Sequence, residues 1–219
     1  IPALVYGPKS DDVHGFDVLD GDGDPADENG HGTHVAGIIA ATGNTSLGIS
    51  GVSPDVKVAS CRFLDVNGFG TTDGAIACMD YVRALRRAGV NVVATNNSWS
   101  SGDGSDLLQA AIGAQQEVLF VAAAGNDGLD LDDWDSYPAG FALANIISVS
   151  ATDRHDRHPQ WSNDGPRSVS LSAPGDDIVS LRAVGTDIYG DGAHFVPDSD
   201  PEAAYYRASG TSMATPHVA

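Results

Sequence analysis

The sequence has little positive charge and no long apolar run. Eleven Lys and Arg residues face thirty Asp and Glu residues, which gives a net charge of -19 at pH 7. Such an acidic surface repels nucleic acids and anionic membranes, so neither is expected as a partner. No stretch of the sequence is long and apolar enough to span a bilayer. The acidity favours a solvated surface, with some carboxylates available to bind cations.

Cysteine is also scarce, and this excludes a fold built on disulfides. The sequence has 2 cysteines, Cys61 in a strand-like run and Cys78 in a helix-like one. This placement favours two free buried thiols, with a single bridge as the alternative.

The 219 residues are 42% hydrophobic, enough for one domain with a substantial core. Apolar strand-like runs alternate with amphipathic helical segments, a pattern typical of an α/β fold with a mostly parallel sheet covered on both faces. Two stretches, Ser10–Gly30 and Gly185–Ala208, have no clear period and are predicted as loops. The predicted strands are Val56–Leu64, Val90–Asn96, Val118–Ala124 and Ile146–Thr152, and the predicted helices are Thr72–Ala88, capped by Thr72 or Asp73, and Ser105–Gln116, capped by Ser105.

The last ten residues place a serine where a nucleophile could act. Small residues around Gly210-Thr211-Ser212 predict a turn that leads into a helix, with Ser212 in its first turn. Backbone N–H groups at a helix start favour negative charge, which suits an oxyanion formed beside Ser212. Taken alone, this segment also fits a plain capped helix.

A histidine that could serve as general base lies in Asn29-Gly30-His31-Gly32-Thr33-His34. A neutral His31 imidazole could accept the serine proton. Two alternatives are that His31 only caps a helix, or that His31 and His34 bind zinc. The zinc alternative lacks the His-Glu-x-x-His pattern and an obvious third ligand.

A third segment ends a strand-like run with Ala124-Gly125-Asn126. The Asn126 amide could donate a hydrogen bond to a developing oxyanion. An ordinary turn asparagine is the alternative.

In this order and spacing, the three segments closely resemble the subtilisin family, the subtilases. The resemblance extends over roughly residues 11–219. Other stretches that resemble the family are Gly48–Pro54, Asn67–Gly70, Asn96–Ser100, Trp161–Gly165 and Ala173–Gly175.

The resemblance implies a three-layer α/β fold and a secreted, monomeric serine endopeptidase acting on polypeptides. Ser212 would be the nucleophile, His31 the general base and Asn126 the oxyanion donor. An extended substrate would lie between two strands, and the residues implied for its binding are Gly68, Phe69, Gly70, Ser98, Trp99, Ser100 and Gly125.

One departure concerns the third catalytic residue. The family order is Asp, His, Ser, and the aspartate follows an apolar first strand. None of the aspartates before His31 stands in that setting, so we expect the catalytic aspartate upstream of Ile1. Residues 1–219 would then be part of a catalytic domain, and nearly inactive on their own.

The acidic loop ahead of His31 resembles a calcium site of thermitase-like family members. Asp20-Gly21-Asp22-Gly23-Asp24 supplies hard oxygen ligands with glycines between them. A solvated acidic turn is the alternative. The predicted Ca²⁺ ligands are Asp17, Asp20, Asp22, Asp24 and Asp27; a second family calcium site would use residues 43–49.

Overall fold

The computed structural model describes residues 14–43, 48–197, 200 and 202–219. Strands and helices alternate through most of this range, as the sequence predicts. The strands are β1 (Gly15–Asp17), β2 (Ser60–Arg62), β3 (Ala94–Asn97), β4 (Leu119–Ala123), β5 (Ile146–Thr152), β6 (Leu171–Pro174), β7 (Ile178–Leu181), β8 (Phe195–Val196) and β9 (Tyr205–Ala208). The helices are α1 (His31–Ala40), α2 (Thr72–Arg87), α3 (Asp106–Gly113) and α4 (Thr211–Ala214), which a 3₁₀ turn (Thr215–His217) extends.

The parallel strands form two groups. Strand β1 pairs with β2, and the larger sheet has the order β3-β4-β5-β6, with every neighbouring pair parallel. A third, antiparallel sheet has the order β7-β9-β8. The prediction of a mostly parallel α/β fold is confirmed.

The larger sheet is covered on both faces. Successive residues of β4 point to opposite faces and enter two different cores. Phe120 packs in one core with Met79 of α2 and Ile112 of α3. Val121 packs in another core with Val149 of β5 and Ala214 of α4. Helices therefore lie on each side of the sheet. A third core joins α1 to the antiparallel sheet and α4; its members include Val35, Ile38, Tyr206, Ala208 and Met213.

The predicted helices α2 and α3 begin at hydroxyl caps. Ser105 caps α3 as predicted, since its Oγ accepts a hydrogen bond from Leu108 N at 3.3 Å. Helix α2 begins at Thr72 as predicted, but its cap is Thr71 and not Thr72 or Asp73: Thr71 Oγ1 accepts from Gly74 N at 3.1 Å. None of the helices in the described ranges is long and apolar enough to cross a membrane.

Two predicted strands are shorter than their apolar runs. Strand β2 covers only the end of Val56–Leu64, and Val56 and Val58 are exposed. Strand β3 begins at Ala94 rather than Val90. β-branched residues favour extended backbone, but a strand also needs a hydrogen-bonded partner. Conversely, the loops predicted at Ser10–Gly30 and Gly185–Ala208 contain β1, β8 and β9, because each finds a partner strand.

The preference for two free thiols is wrong: Cys61 and Cys78 form a disulfide. Strand β2 packs along α2, and this brings the two Cα atoms to 5.7 Å. The sequence placed each cysteine in the right kind of element, but it did not show that the two elements face each other.

Candidate active site

His31 is the first residue of α1, and its position depends on the glycine before it. Gly30 is buried and has φ +101°, which a residue with a side chain rarely adopts. A Cβ added at Gly30 would lie 2.4 Å from Thr186 Oγ1, so only glycine fits. His31 is therefore held at a helix start that packs closely against the segment between β7 and β8.

Asp27 fixes the backbone on both sides of His31. Its Oδ1 accepts hydrogen bonds from Asn29 N at 3.0 Å and Gly30 N at 2.8 Å. Its Oδ2 accepts from both N and Oγ1 of Thr33, each at 2.7 Å. Burial raises the pKa of Asp27, but these hydrogen bonds outweigh burial and hold the pKa below its usual value.

The electrostatics around His31 favour the neutral ring. Desolvation lowers the pKa of His31 below its usual value, and the negative charge of Asp27 offsets part of this effect. The imidazole is thus unprotonated at neutral pH, which is the state in which it can accept a proton. Within residues 14–43, 48–197, 200 and 202–219, no carboxylate hydrogen-bonds to the ring.

Ser212 is the second residue of α4 and is joined to the end of β3. Its Oγ donates to the carbonyl oxygen of Ser98 at 3.1 Å, and Ser98 Oγ donates to the carbonyl oxygen of Ser212 at 2.8 Å. This reciprocal pair places the predicted nucleophile beside one of the predicted substrate-binding residues.

Asn126 has a fixed orientation because both of its contacts use the same oxygen. Its Oδ1 accepts from Thr211 N at 2.8 Å and from Thr211 Oγ1 at 3.0 Å. A backbone N–H can only donate, so the accepting atom must be oxygen and the outward atom is the NH2 group. Among the described residues this Nδ2 has no hydrogen-bond partner, and the side chain is exposed. Asn126 thus presents two N–H donors next to Ser212.

Thr211 and Asn163 complete this region, and sequence reasoning assigned a role to neither. Thr211 is fully buried, and its Oγ1 accepts from Gly125 N at 3.1 Å while donating to Asn126. Gly125 has φ +109°, and a Cβ there would meet Asn163 Nδ2 at 2.4 Å. In the sequence, Thr211 could have been found from its position next to Ser212. Asn163 could have been found only from its place in the family-like stretch Trp161–Gly165.

A groove of about 410 Å³ lies between two chain segments and includes His31. Six of the seven predicted substrate-binding residues line it: Gly68, Phe69, Gly70, Ser98, Trp99 and Ser100. Gly125 does not line it, and neither do Ser212 and Asn126. Ser212 is hydrogen-bonded to the lining residue Ser98, whereas Gly125 and Asn126 are hydrogen-bonded to Thr211, the neighbour of Ser212. Phe69 is 75% exposed and is free to contact a bound ligand.

His34 does not join His31 in a metal site. It is fully buried, and its Nε2 lies 3.2 Å from the carbonyl oxygen of Ile178 and 3.1 Å from that of Tyr206. Desolvation lowers the pKa of His34 to about 4. In the described part of the chain, no group of three His, Cys, Asp or Glu residues is arranged to hold a metal ion. His34 instead ties α1 to the antiparallel sheet.

The five carboxylates predicted to bind calcium have different partners in the structure. Asp17 is fully buried and pairs with Arg62 Nη1 at 2.8 Å, and Arg62 also pairs with Glu28. Asp27 uses both oxygens on the start of α1. Asp20, Asp22 and Asp24 are exposed. Calcium binding by the five aspartates stays a prediction. The second calcium site predicted at residues 43–49 lies largely outside the described residues.

Comparison with known proteins places this arrangement in context. Residues 7–219 match the model of the subtilase family. The chain is 37% identical over 209 residues to a thermophilic serine proteinase of Bacillus sp. (strain AK1), covering 94% of this chain and 45% of that protein. It is 36% identical over 208 residues to thermitase of Thermoactinomyces vulgaris, covering 94% and 64%. A crystal structure of a cold adapted subtilisin-like serine proteinase superposes with a TM-score of 0.72 at 33% identity, covering 94% of this chain and 64% of that chain.

Proposed function

Because the chain belongs to the subtilase family, we propose that it carries the catalytic site of a serine endopeptidase that hydrolyses polypeptides. The chain spans 45% and 64% of the two relatives described above, so the proposal concerns the protein that contains it. The observation that carries the proposal is the placement of Asn126, whose free amide faces outward beside Ser212 while Thr211 holds its oxygen.

In the proposed reaction, Ser212 Oγ attacks the scissile carbonyl and His31 accepts the serine proton. The hydroxyl must first turn away from the carbonyl oxygen of Ser98, to which it donates a hydrogen bond in the structure. The tetrahedral intermediate then collapses as His31 returns the proton to the leaving amine. Water attacks the resulting acyl-enzyme with the same base, which regenerates Ser212. The depressed pKa of His31 supports its role as base, since the ring is already neutral.

The charge that develops on the carbonyl oxygen needs fixed donors. We assign these to the Asn126 amide and the Ser212 backbone N–H. Donors held in place before the reaction require no reorganisation as charge develops, which is why such groups have large effects on rate. The two hydrogen bonds from Thr211 hold the Asn126 side chain in this orientation.

The groove gives the substrate an extended path. Segments around Gly68–Gly70 and Ser98–Ser100 line it, and a peptide between them would bind by main-chain hydrogen bonds, as an added strand. The exposed Phe69 ring and the partly buried Trp99 offer apolar surface for its side chains. Binding by the backbone, with few charged groups in the groove walls, supports broad cleavage of polypeptides.

We also propose that the protein is secreted. Disulfides persist in oxidising compartments and are rare in the cytosol, so the Cys61–Cys78 bridge supports this location. The excess of acidic residues is compatible with a protein that must stay soluble outside the cell.

The test combines active-site labelling with cleavage of a quenched peptide by the protein carrying this chain. We expect a serine-directed phosphonyl fluoride to label Ser212 and to stop cleavage, with neither label nor cleavage in Ser212→Ala. Ser209→Ala is the matched control, since this nearby serine is exposed and should leave the label unchanged. Cleavage that survives in Ser212→Ala, or that a zinc chelator stops without serine labelling, would refute the proposal. Stable folding without any labelling would indicate a binding protein instead.

A further inference from the structure

The main-chain carbonyl of Ser212 lacks the donor that a helix usually supplies. In an α-helix, a carbonyl oxygen accepts a hydrogen bond from the N–H four positions further on. Four positions after Ser212 stands Pro216, which has no N–H. The buried hydroxyl of Ser98 takes this place, since its Oγ donates to the Ser212 carbonyl oxygen at 2.8 Å. A side chain at the end of β3 therefore joins that strand to the second residue of α4.

The Ser98 hydroxyl is in turn held by Asn96, two positions earlier. Asn96 Nδ2 lies 3.0 Å from Ser98 Oγ. A hydroxyl has one proton to donate, and that of Ser98 goes to the carbonyl oxygen of Ser212, so the group of Asn96 that faces Ser98 must be the donating NH2. The hydrogen bonds thus run in one direction, from Asn96 through Ser98 to Ser212.

The stability of the sheet does not account for the placement of the Asn96 amide. Its Oδ1 is buried and has no hydrogen-bond partner in the described part of the chain, which is unfavourable. The neighbouring Asn97 behaves differently, because its Nδ2 donates to the carbonyl oxygens of Thr95 at 3.2 Å and Val121 at 3.3 Å and so ties β3 to β4. The contact that distinguishes Asn96 is the one with Ser98.

We propose that Asn96 is a positioning residue for the nucleophile, which acts through the Ser98 hydroxyl on the main chain of Ser212. The proposal rests on the proposed endopeptidase function. Ser98 and Ser212 are joined twice, since Ser212 Oγ also donates to the Ser98 carbonyl oxygen at 3.1 Å. Holding the Ser98 hydroxyl therefore orients both the nucleophile and the Ser212 N–H assigned to the oxyanion. Asn96 does not line the groove, so its effect falls on turnover and not on substrate binding.

A double-mutant cycle tests whether Asn96 acts through Ser98. The protein carrying this chain is assayed on a quenched peptide, and kcat is divided by the number of sites that phosphonyl fluoride labels at completion, so that misfolded protein is not counted. In Asn96→Ala we expect kcat to fall about tenfold with KM nearly unchanged, less than the roughly 10²-fold that a 1 Å misplacement can cost. Without the Ser98 hydroxyl, Asn96 has nothing to hold, so adding Asn96→Ala to Ser98→Ala should lower kcat by less than about twofold. A double variant that loses the product of the two single losses would overturn the proposal.

Asn96→Asp separates the donated proton from the shape of the side chain. An ionised carboxylate accepts hydrogen bonds but cannot donate them, so it draws the Ser98 proton away from the Ser212 carbonyl oxygen. We expect its kcat at neutral pH to be no higher than that of Asn96→Ala, and a wild-type kcat would refute the role of the amide donor.

Asn91→Ala is the matched control, because Asn91 is an exposed asparagine just before the same strand and does not line the groove. Its kcat should stay at the wild-type value, and equal falls in Asn91→Ala and Asn96→Ala would also contradict the proposal. A wild-type protein that neither cleaves nor takes the label would refute the proposed function itself, whereas wild-type cleavage with multiplying losses refutes only the role of Asn96.

Discussion

The surroundings of Ser212 and the acidic loop ahead of His31 are both rich in polar groups, but they use hydrogen bonds differently. Around Ser212, side chains bond to groups 85 or more positions away in sequence, as Asn126 and Ser98 do. In the acidic loop most carboxylates bond to backbone N–H groups two to six positions away, as in Asp17–Leu19, Asp22–Asp24 and Asp27–Thr33. Distant contacts leave a donor of Asn126 facing out, whereas local contacts satisfy the carboxylates and shape the loop.

This contrast predicts that variants near Ser212 change turnover as well as stability, whereas variants in the acidic loop change stability alone. In Asn126→Ala we expect kcat to fall on the order of 10²–10³, the usual effect of losing one oxyanion donor, with KM nearly unchanged. Loss of Oδ1 also leaves the buried Thr211 N–H without its acceptor, so we expect about 1–3 kcal/mol lost in stability, a smaller effect than that on turnover. Steady-state kinetics on a quenched peptide and urea titration check both parts.

Thr211→Val sharpens the same point, since it keeps the shape and the backbone N–H but removes the hydroxyl. Asn126 Oδ1 then keeps one of its two hydrogen bonds, and Gly125 N loses its acceptor. We expect about a tenfold fall in kcat, with about 1–3 kcal/mol lost in stability from the unpaired buried group. An Asn126→Ala protein with wild-type kcat would show that the free amide has no role in catalysis.

The catalytic candidates could be predicted because each lies in a short motif of unusual residues. Ser212, His31 and Asn126 are recognisable from their neighbours alone, and so is the alternation of strands and helices. Thr211 could not be identified in this way, because it is a small polar residue beside the nucleophile. Its importance arises from its hydrogen bonds with Gly125 and Asn126, which are far away in sequence.

In the acidic loop, by contrast, the ion pairs with the distant Arg62 are expected to affect stability and not turnover. Arg62 pairs with the fully buried Asp17 and also with Glu28. In Arg62→Met we expect the unfolding free energy to drop by about 3 kcal/mol, because Asp17 is left buried without its counter-charge. Turnover per folded molecule should stay within about twofold, since the pair does not touch the groove.

Two further variants control this prediction. Arg83→Met removes a pair with Asp80 that is largely exposed, and should cost under about 1 kcal/mol. Adding Asp17→Asn to Arg62→Met should recover part of the loss, because the buried charge is gone. Equal losses of unfolding free energy for Arg62→Met and Arg83→Met in urea titration would contradict the prediction that Arg62 stabilises the loop through the buried Asp17.

Asp27 belongs to the acidic loop and also acts on His31, and pH dependence separates these two effects. Its charge raises the pKa of His31, so Asp27→Asn lowers that pKa further, and the neutral base persists to lower pH. The acidic limb of kcat/KM should therefore move to lower pH. The pKa of Asp27 itself is lowered on folding, so its stabilising contribution is present above its unfolded value and is lost as pH falls through its folded value. An acidic limb that stays in place in Asp27→Asn would rule out the electrostatic coupling.

The sequence could not separate the roles of the five aspartates, because it does not show the partner of each carboxylate. An aspartate can cap a helix, pair with an arginine or bind calcium in the same kind of sequence. Spacing predicted a shared cation site. In the structure, Asp17 and Asp27 are engaged by Arg62 and by the start of α1. The cysteines present the same difficulty, since the contact between β2 and α2 that joins them is not visible in the local pattern.

Calcium gives the smallest expected effect and tests what remains of the acidic loop as a cation site. Asp20, Asp22 and Asp24 are exposed and free of arginine contacts, apart from a 3.7 Å approach of Arg62 Nη1 to Asp20. At about ten times Kd, calcium would add roughly 1.4 kcal/mol, which for a chain of this size raises Tm by about 3–6 °C over a chelator. Asp22→Ala should abolish the shift, whereas Asp103→Ala, which removes an exposed carboxylate elsewhere, should retain it. The same Tm in calcium and in chelator would leave the loop with a purely structural role, held by the Arg62 ion pairs and the Asp27 hydrogen bonds.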